Sequence, residues 1–134
     1  MSIRRYPPDH PLEWLNYARS DLALAQADIE EALPALQCFH AQQAAEKAIK
    51  AVLISVAFDF PYTHDLGHLA ALTIEQGFAF PNELRQVTML TQYAIVTRYP
   101  GAGNLVTEDE KQRAIEIAGQ TVRWAESVIQ EQSD

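Results

Sequence analysis

The chain has 134 residues of ordinary globular composition, without low-complexity tracts or internal repeats, and its length suits one domain. Ten Lys and Arg against 18 Asp and Glu leave a net charge of −8, which argues against a generic duplex-binding surface. No apolar run approaches the ~20 residues that cross a bilayer, no signal-peptide pattern opens the chain, and lone Cys38 forbids an internal disulfide, so a soluble cytoplasmic protein is expected.

In chain order, residues 1–11, with Arg4 and Arg5, are expected to form a flexible N-terminal segment ahead of a helical domain over 12–132. Leu15, Ala18, Leu22, Ala25, Ile29 and Leu33 recur at spacings of three and four and predict a first helix over about 12–33. Pro34 should separate it from a second helix over about 35–57. There Cys38, Ala41, Ala45, Ala48, Ile49, Val52, Leu53 and Val56 share one arc at 100° per residue, small enough for a neighbour to approach closely. Asp65 is placed to cap a short third helix over about 65–76, which Gly77 stops. Pro81 is placed to begin a fourth, running to about Tyr99 before Pro100-Gly101 breaks it. Thr107 and Glu110 form a T-x-x-E capping box for the last helix, which runs to about Gln130. With no strand alternation, the pattern predicts an all-α, five-helix, up-and-down antiparallel bundle.

Two helices carry more apolar surface than one core requires. Met89, Tyr93 and Val96 lie nearly opposite Val87 and Ala94, while Ile117, Trp124 and Val128 oppose Ile115, Val122 and Ile129. That excess points to a homodimer interface.

The second helix also bears a polar cluster. Phe39, Gln43, Glu46 and Lys50 share the arc opposite the apolar stripe, with Lys47 and His40 at its edge. One reading is a solvated face with a Glu46–Lys50 pair; another is a polar surface that holds something. Gln42 fits the solvated reading poorly, because it faces the apolar arc and needs hydrogen-bond partners there. His64 and His68, four apart, could ligate a metal from one helical face, but His10 and His40 lack motif spacing, so no metal is expected. His64 and Asp65 are read instead as organising the loop and capping the helix. Arg98 continues the stripe of Val87, Thr91 and Ala94, so it must pair, snorkel or meet a bound anion. With Tyr93 and Tyr99 available to stack on a base, Arg98 is a candidate phosphate ligand, assisted by Lys47 or Lys50. Ser20, Ser55 and Ser127 lack a nucleophile elbow, and Gly101 and Gly103 lack the strand-to-helix context of a phosphate loop.

Together, "EWLNYARSDLALA", "CFHAQQAAEKAIKAVL", "HDLGHL" and "YAIVTRYPG" resemble the HEPN domain, the higher eukaryotes and prokaryotes nucleotide-binding family, over about residues 12–130. The resemblance implies a helical bundle that is often dimeric and often encoded beside a minimal nucleotidyltransferase, in pairs that look like toxin–antitoxin modules. No cofactor is expected. Many HEPN toxins are metal-independent ribonucleases with an Arg, four to six residues, then a His. Arg98 matches the Arg, but Gly103, Asn104 and Leu105 stand where the His would fall. The leading expectation is therefore a dimeric nucleotide-binding or interaction partner of a nucleotidyltransferase. The alternatives are a ribonuclease that acts on RNA with a displaced acid–base residue such as His64, and a structural helical adaptor. The resemblance favours a family-specific polar surface that includes Gln43, Glu46, Lys47 and Lys50 over plain solvation, and His64 and Asp65 are counted with that surface.

Overall fold

The computed structural model describes residues 2–94, 100–101 and 105–133, with side chains to residue 130. Its α-helices are α1 (Pro11–Gln26), α2 (Pro34–Ser55), α3 (Leu66–Glu75), α4 (Leu84–Met89) and α5 (Glu108–Ser133). A 3-10 turn, Leu90–Ala94, continues α4. The described residues contain no strand, as the helical periodicities predict. None of their helices is long and apolar enough to cross a membrane.

Proline opens α1 and α2 at the first turn, where its missing N–H costs nothing. α1 ends at Gln26, seven residues before the expected end. Ala27 turns extended, and Gln37 Nε2 donates to its carbonyl at 2.8 Å. Continuing the helix would have set Asp28, Glu30 and Glu31 against its negative end. Ile29 and Leu33, which extend the apolar spacing, are exposed at 55% and 61%.

α2 stops at Ser55 through a reversal in which Ala57 N donates to Ile54 O at 2.9 Å and Phe58 N donates to Leu53 O at 3.0 Å. Ala57 takes φ 56°, the left-handed position that favours glycine. α3 ends in the same pattern, with Gly77 at φ 96° and Phe78 N donating to Thr73 O at 3.1 Å. At its start, Asp65 Oδ1 accepts from His68 N at 3.2 Å, which is the expected cap.

The expected fourth helix starts later than Pro81. Glu83 caps α4, and its N–H donates to Gln86 Oε1 at 3.3 Å. Tightening into the 3-10 turn follows at Leu90, and the remainder of the expected helix, 95–99, lies outside the described residues. For α5, Thr107 Oγ1 accepts from Glu110 N at 3.1 Å, as the T-x-x-E pattern predicts.

α2 packs against α1, α3, α5 and the 3-10 turn. Its alanines at 41, 44, 45, 48 and 51 are fully buried and admit these neighbours closely. Leu15, Ile49, Leu53, Leu66, Leu69, Leu90 and Val122 fill the space between, each such side chain contributing roughly 1.5–3 kcal/mol on burial. Contacts between α1 and α2 run in opposite chain directions, Ala27 meeting Gln37 while Tyr17 meets Lys47, so the two are antiparallel. The second apolar face of α5 has an intramolecular partner. Trp124 packs edge-on against Phe80 at 4.9 Å, and its Nε1 donates to Ala79 O at 2.6 Å.

Candidate functional site

The central place of α2 decides what its polar residues meet. A helix packed on several sides has no wide solvated face, so Glu46 and Lys50 are each only 5% exposed. Lys50 Nζ donates to Glu46 Oε2 at 3.0 Å, and Gln42 Nε2 donates to Oε1 at 2.9 Å. Gln43 Nε2 donates in turn to Gln42 Oε1 at 2.7 Å. From the loop before α3, His64 Nδ1 lies 2.7 Å from Glu46 Oε1. Gln42, fully buried, thus has its partners within the same helix, and a solvated face with a plain surface ion pair is excluded.

Two charges held away from water cost several kcal/mol each, so the pair persists only because further hydrogen bonds saturate the carboxylate. Burial pushes the Glu46 carboxyl up. Hydrogen bonds from His64 and Gln42 and the Lys50 charge outweigh it and hold the group below its ordinary value. Glu46 is therefore ionised at neutral pH. Lys50 Nζ also lies 5.6 Å from the Phe60 ring centroid and 5.8 Å from that of Tyr62. The network reaches solvent at its loop end, where the His64 side chain is 41% exposed and Tyr62 is almost fully exposed.

Lys47 belongs to a second cluster. Its Nζ donates to Asp21 Oδ2 at 2.6 Å, and His40 Nδ1 lies 3.0 Å from Asp21 Oδ1. Asp21 was missing from the sequence candidates although it carries a readable signal. It stands three residues after Ala18 and four before Ala25, on the buried stripe of α1. Glu13, buried near the start of the same helix, holds the N-terminal segment. Its carboxylate accepts from Arg5 Nε at 2.8 Å, from Tyr6 N at 3.0 Å and from Asn16 Nδ2 at 3.0 Å. These donors, Arg5 foremost, pull its pKa down to about 2. Asn16 Nδ2 also donates to Arg4 O at 2.7 Å, and Trp14 Nε1 donates to Pro8 O at 2.9 Å. The segment expected to be flexible thus makes these contacts with α1.

Of the other candidates, Tyr93 is 6% exposed and its hydroxyl donates to Glu110 Oε2 at 3.2 Å. Burial, with Cys38 and Glu110 nearby, raises its pKa to about 12, and burial raises Cys38 to about 12 as well. Tyr93 thus faces Cys38 and Glu110, and no hydrogen bond among the described residues joins it to Glu46. Asp65 serves as the α3 cap. Arg98 and Tyr99 lie outside the described residues, as do Val96, Gly103 and Asn104, while Leu105 is exposed. The structure thus brings Gln42, Gln43, Glu46, Lys50 and His64 together and sets Lys47 in an adjoining cluster. No group of three His, Cys, Asp or Glu among the described residues could hold a metal ion.

The sequence model of the HEPN domain matches residues 12–128. The chain is similar to the crystal structure of an archaeal HEPN homologue, with a TM-score of 0.71 and 26% identity over 90% of this chain and 98% of that one. It is also similar to the crystal structure of a protein from Thermus thermophilus, with a TM-score of 0.76 and 28% identity over 88% of this chain and 97% of that one. Comparison with curated proteins gives no match.

Proposed function

The chain belongs to the HEPN domain family, and from that premise we propose that it is a dimeric nucleotide-binding partner of a minimal nucleotidyltransferase, in a toxin–antitoxin-like pair. The observation that carries this reading is the ionised Glu46–Lys50 network with His64 and Gln42. Helix packing does not need it, and an apolar set of the same volume would commonly be as stable or more so. Departures from the most stable solution are expected at functional sites. Arg98 and Tyr99 are the proposed phosphate and base contacts, with Lys47 or Lys50 assisting. Exposed Leu84 and Met89 beside the 3-10 turn offer apolar surface for a second copy.

Co-expression and pull-down with a minimal nucleotidyltransferase should capture a stable complex. A nucleotide should raise the melting temperature by mass action, and Arg98→Ala should remove that rise while the helical signal persists. Stable protein that binds neither ligand nor partner would leave the adaptor reading.

A second reading, a ribonuclease with a displaced acid–base residue, draws on one observation. His64 Nδ1 lies 2.7 Å from the Glu46 carboxylate, the kind of contact that orients an imidazole for proton transfer. Metal-free RNA cleavage lost in both His64→Ala and Arg98→Ala would select it.

A further inference from the structure

The contacts that fasten the N-terminal segment to α1 also enclose a cleft of about 440 Å³, lined by Arg5, Tyr6, Glu13, Trp14, Tyr17 and Lys47, with Pro8 at its margin. Its size lies within the range of small-molecule sites, and its surface is mainly apolar, with three aromatic side chains beside the charged Arg5, Glu13 and Lys47. Both cations attend the same ring. Arg5 Cζ lies 5.9 Å from the Tyr17 centroid and Lys47 Nζ 5.6 Å from it. Glu13 engages Arg5 through Nε and Nη2, which leaves guanidinium protons for a second acceptor. Asp21 accepts from Lys47, whose ammonium has three protons to give. Each cation is thus held in place by a carboxylate and retains donors to share. In a chain of net charge −8, Arg4 adds a further cation beside the cleft, 5.2 Å from the Tyr6 ring centroid.

We propose that this cleft binds a nucleoside phosphate, its base against Trp14 and Tyr17 and its phosphate between Arg5 and Lys47, Tyr6 being stacked already on His10 at 4.8 Å. The proposal rests on the nucleotide-binding reading but names phosphate and base contacts other than Arg98 and Tyr99, in a cleft at the N-terminal end of α1. The aromatic wall favours a stacked ring, and the paired cations favour an anion attached to it.

Titration calorimetry of the intact protein with the four ribonucleoside monophosphates, the free nucleosides and inorganic phosphate tests it. At least one monophosphate should bind one per chain, and the matching nucleoside and phosphate alone should each bind at least tenfold more weakly. Tyr17 is half exposed, so Tyr17→Ala should keep the fold and weaken binding roughly tenfold or more through lost stacking and looser cations. Arg5→Gln should weaken the monophosphate more than the nucleoside, and added salt should reduce the difference. Monophosphate binding equal to wild type in both variants would overturn the location and leave the nucleotide-binding reading standing. Inorganic phosphate binding as tightly as the monophosphate would overturn the base site. No binding of any monophosphate at millimolar concentration, by heat or by melting temperature, would overturn both.

Discussion

A buried charge is stable only with its partner, and Glu46 with Lys50 is such a pair. Glu46→Gln leaves the Lys50 ammonium buried without a counter-charge, and breaking a pair this way should cost roughly 3–5 kcal/mol in chemical unfolding. Combining it with Lys50→Met removes the stranded charge, so the double variant should recover most of that loss. A double variant as unstable as the single one would show that the network is not held by charge pairing. The same residue sets an acid response. Its folded pKa lies below the ordinary 4.5, so the stability it confers is complete above about pH 4.5 and is lost as pH falls through the folded value. Glu46→Gln should therefore flatten the fall in melting temperature below pH 4.5. Glu13, lowered to about 2, responds with the same sign and keeps part of that slope in the variant.

Helix ends in this protein are set by local chemistry more than by apolar spacing. α2 and α3 stop in the same reversal, yet α3 has Gly77 at the left-handed position and α2 has Ala57. An L side chain there costs about 1–2 kcal/mol, part of which glycine forfeits again through its freer unfolded chain. Ala57→Gly should thus stabilise the fold by about 0.5–1 kcal/mol, read from the denaturant midpoint at unchanged slope. A destabilised variant would mean that the Ala57 methyl packs usefully. This exchange of Gly for Ala is also why the end of α2 was hard to read, since Val56 and Ala57 continue the helical composition. The end of α1 was hidden differently: Ile29 and Leu33 keep the spacing, but acidic residues and a tertiary bond from Gln37 end the helix first.

For the whole molecule, oligomeric state turns on how much apolar surface the bundle leaves uncovered. Trp124 is occupied by Phe80 and Ala79, so α5 contributes less than its pattern implies, whereas Leu84 and Met89 stay exposed. Light scattering at micromolar concentration should report about twice the chain mass. Met89→Asp, a charge at a half-exposed position, should shift the mass toward one chain while leaving the helical signal intact. A monomer at high concentration, or a dimer indifferent to that charge, would place any interface elsewhere.

The all-α class, the central stripe of α2, the Asp65 and Thr107 caps and the family resemblance were legible in the sequence by itself, because periodicity and capping are short-range. Burial of the opposite face of α2 was not legible. Whether Gln43, Glu46 and Lys50 meet water or neighbours depends on how many elements surround the helix, and α1, α3, α5 and the 3-10 turn together decide it. The pairing of Lys47 with Asp21 and of Glu46 with His64 likewise joins residues 26 and 18 positions apart, a distance no local pattern spans. The N-terminal cleft is the extreme case. A polar, proline-bearing segment reads as loose chain until Glu13 and Asn16 on the neighbouring helix supply the acceptor and donor that fasten it. Backbone periodicity thus determined which segments are helices, and tertiary packing decided which charges are buried, because desolvation depends on neighbours that the chain brings together only on folding.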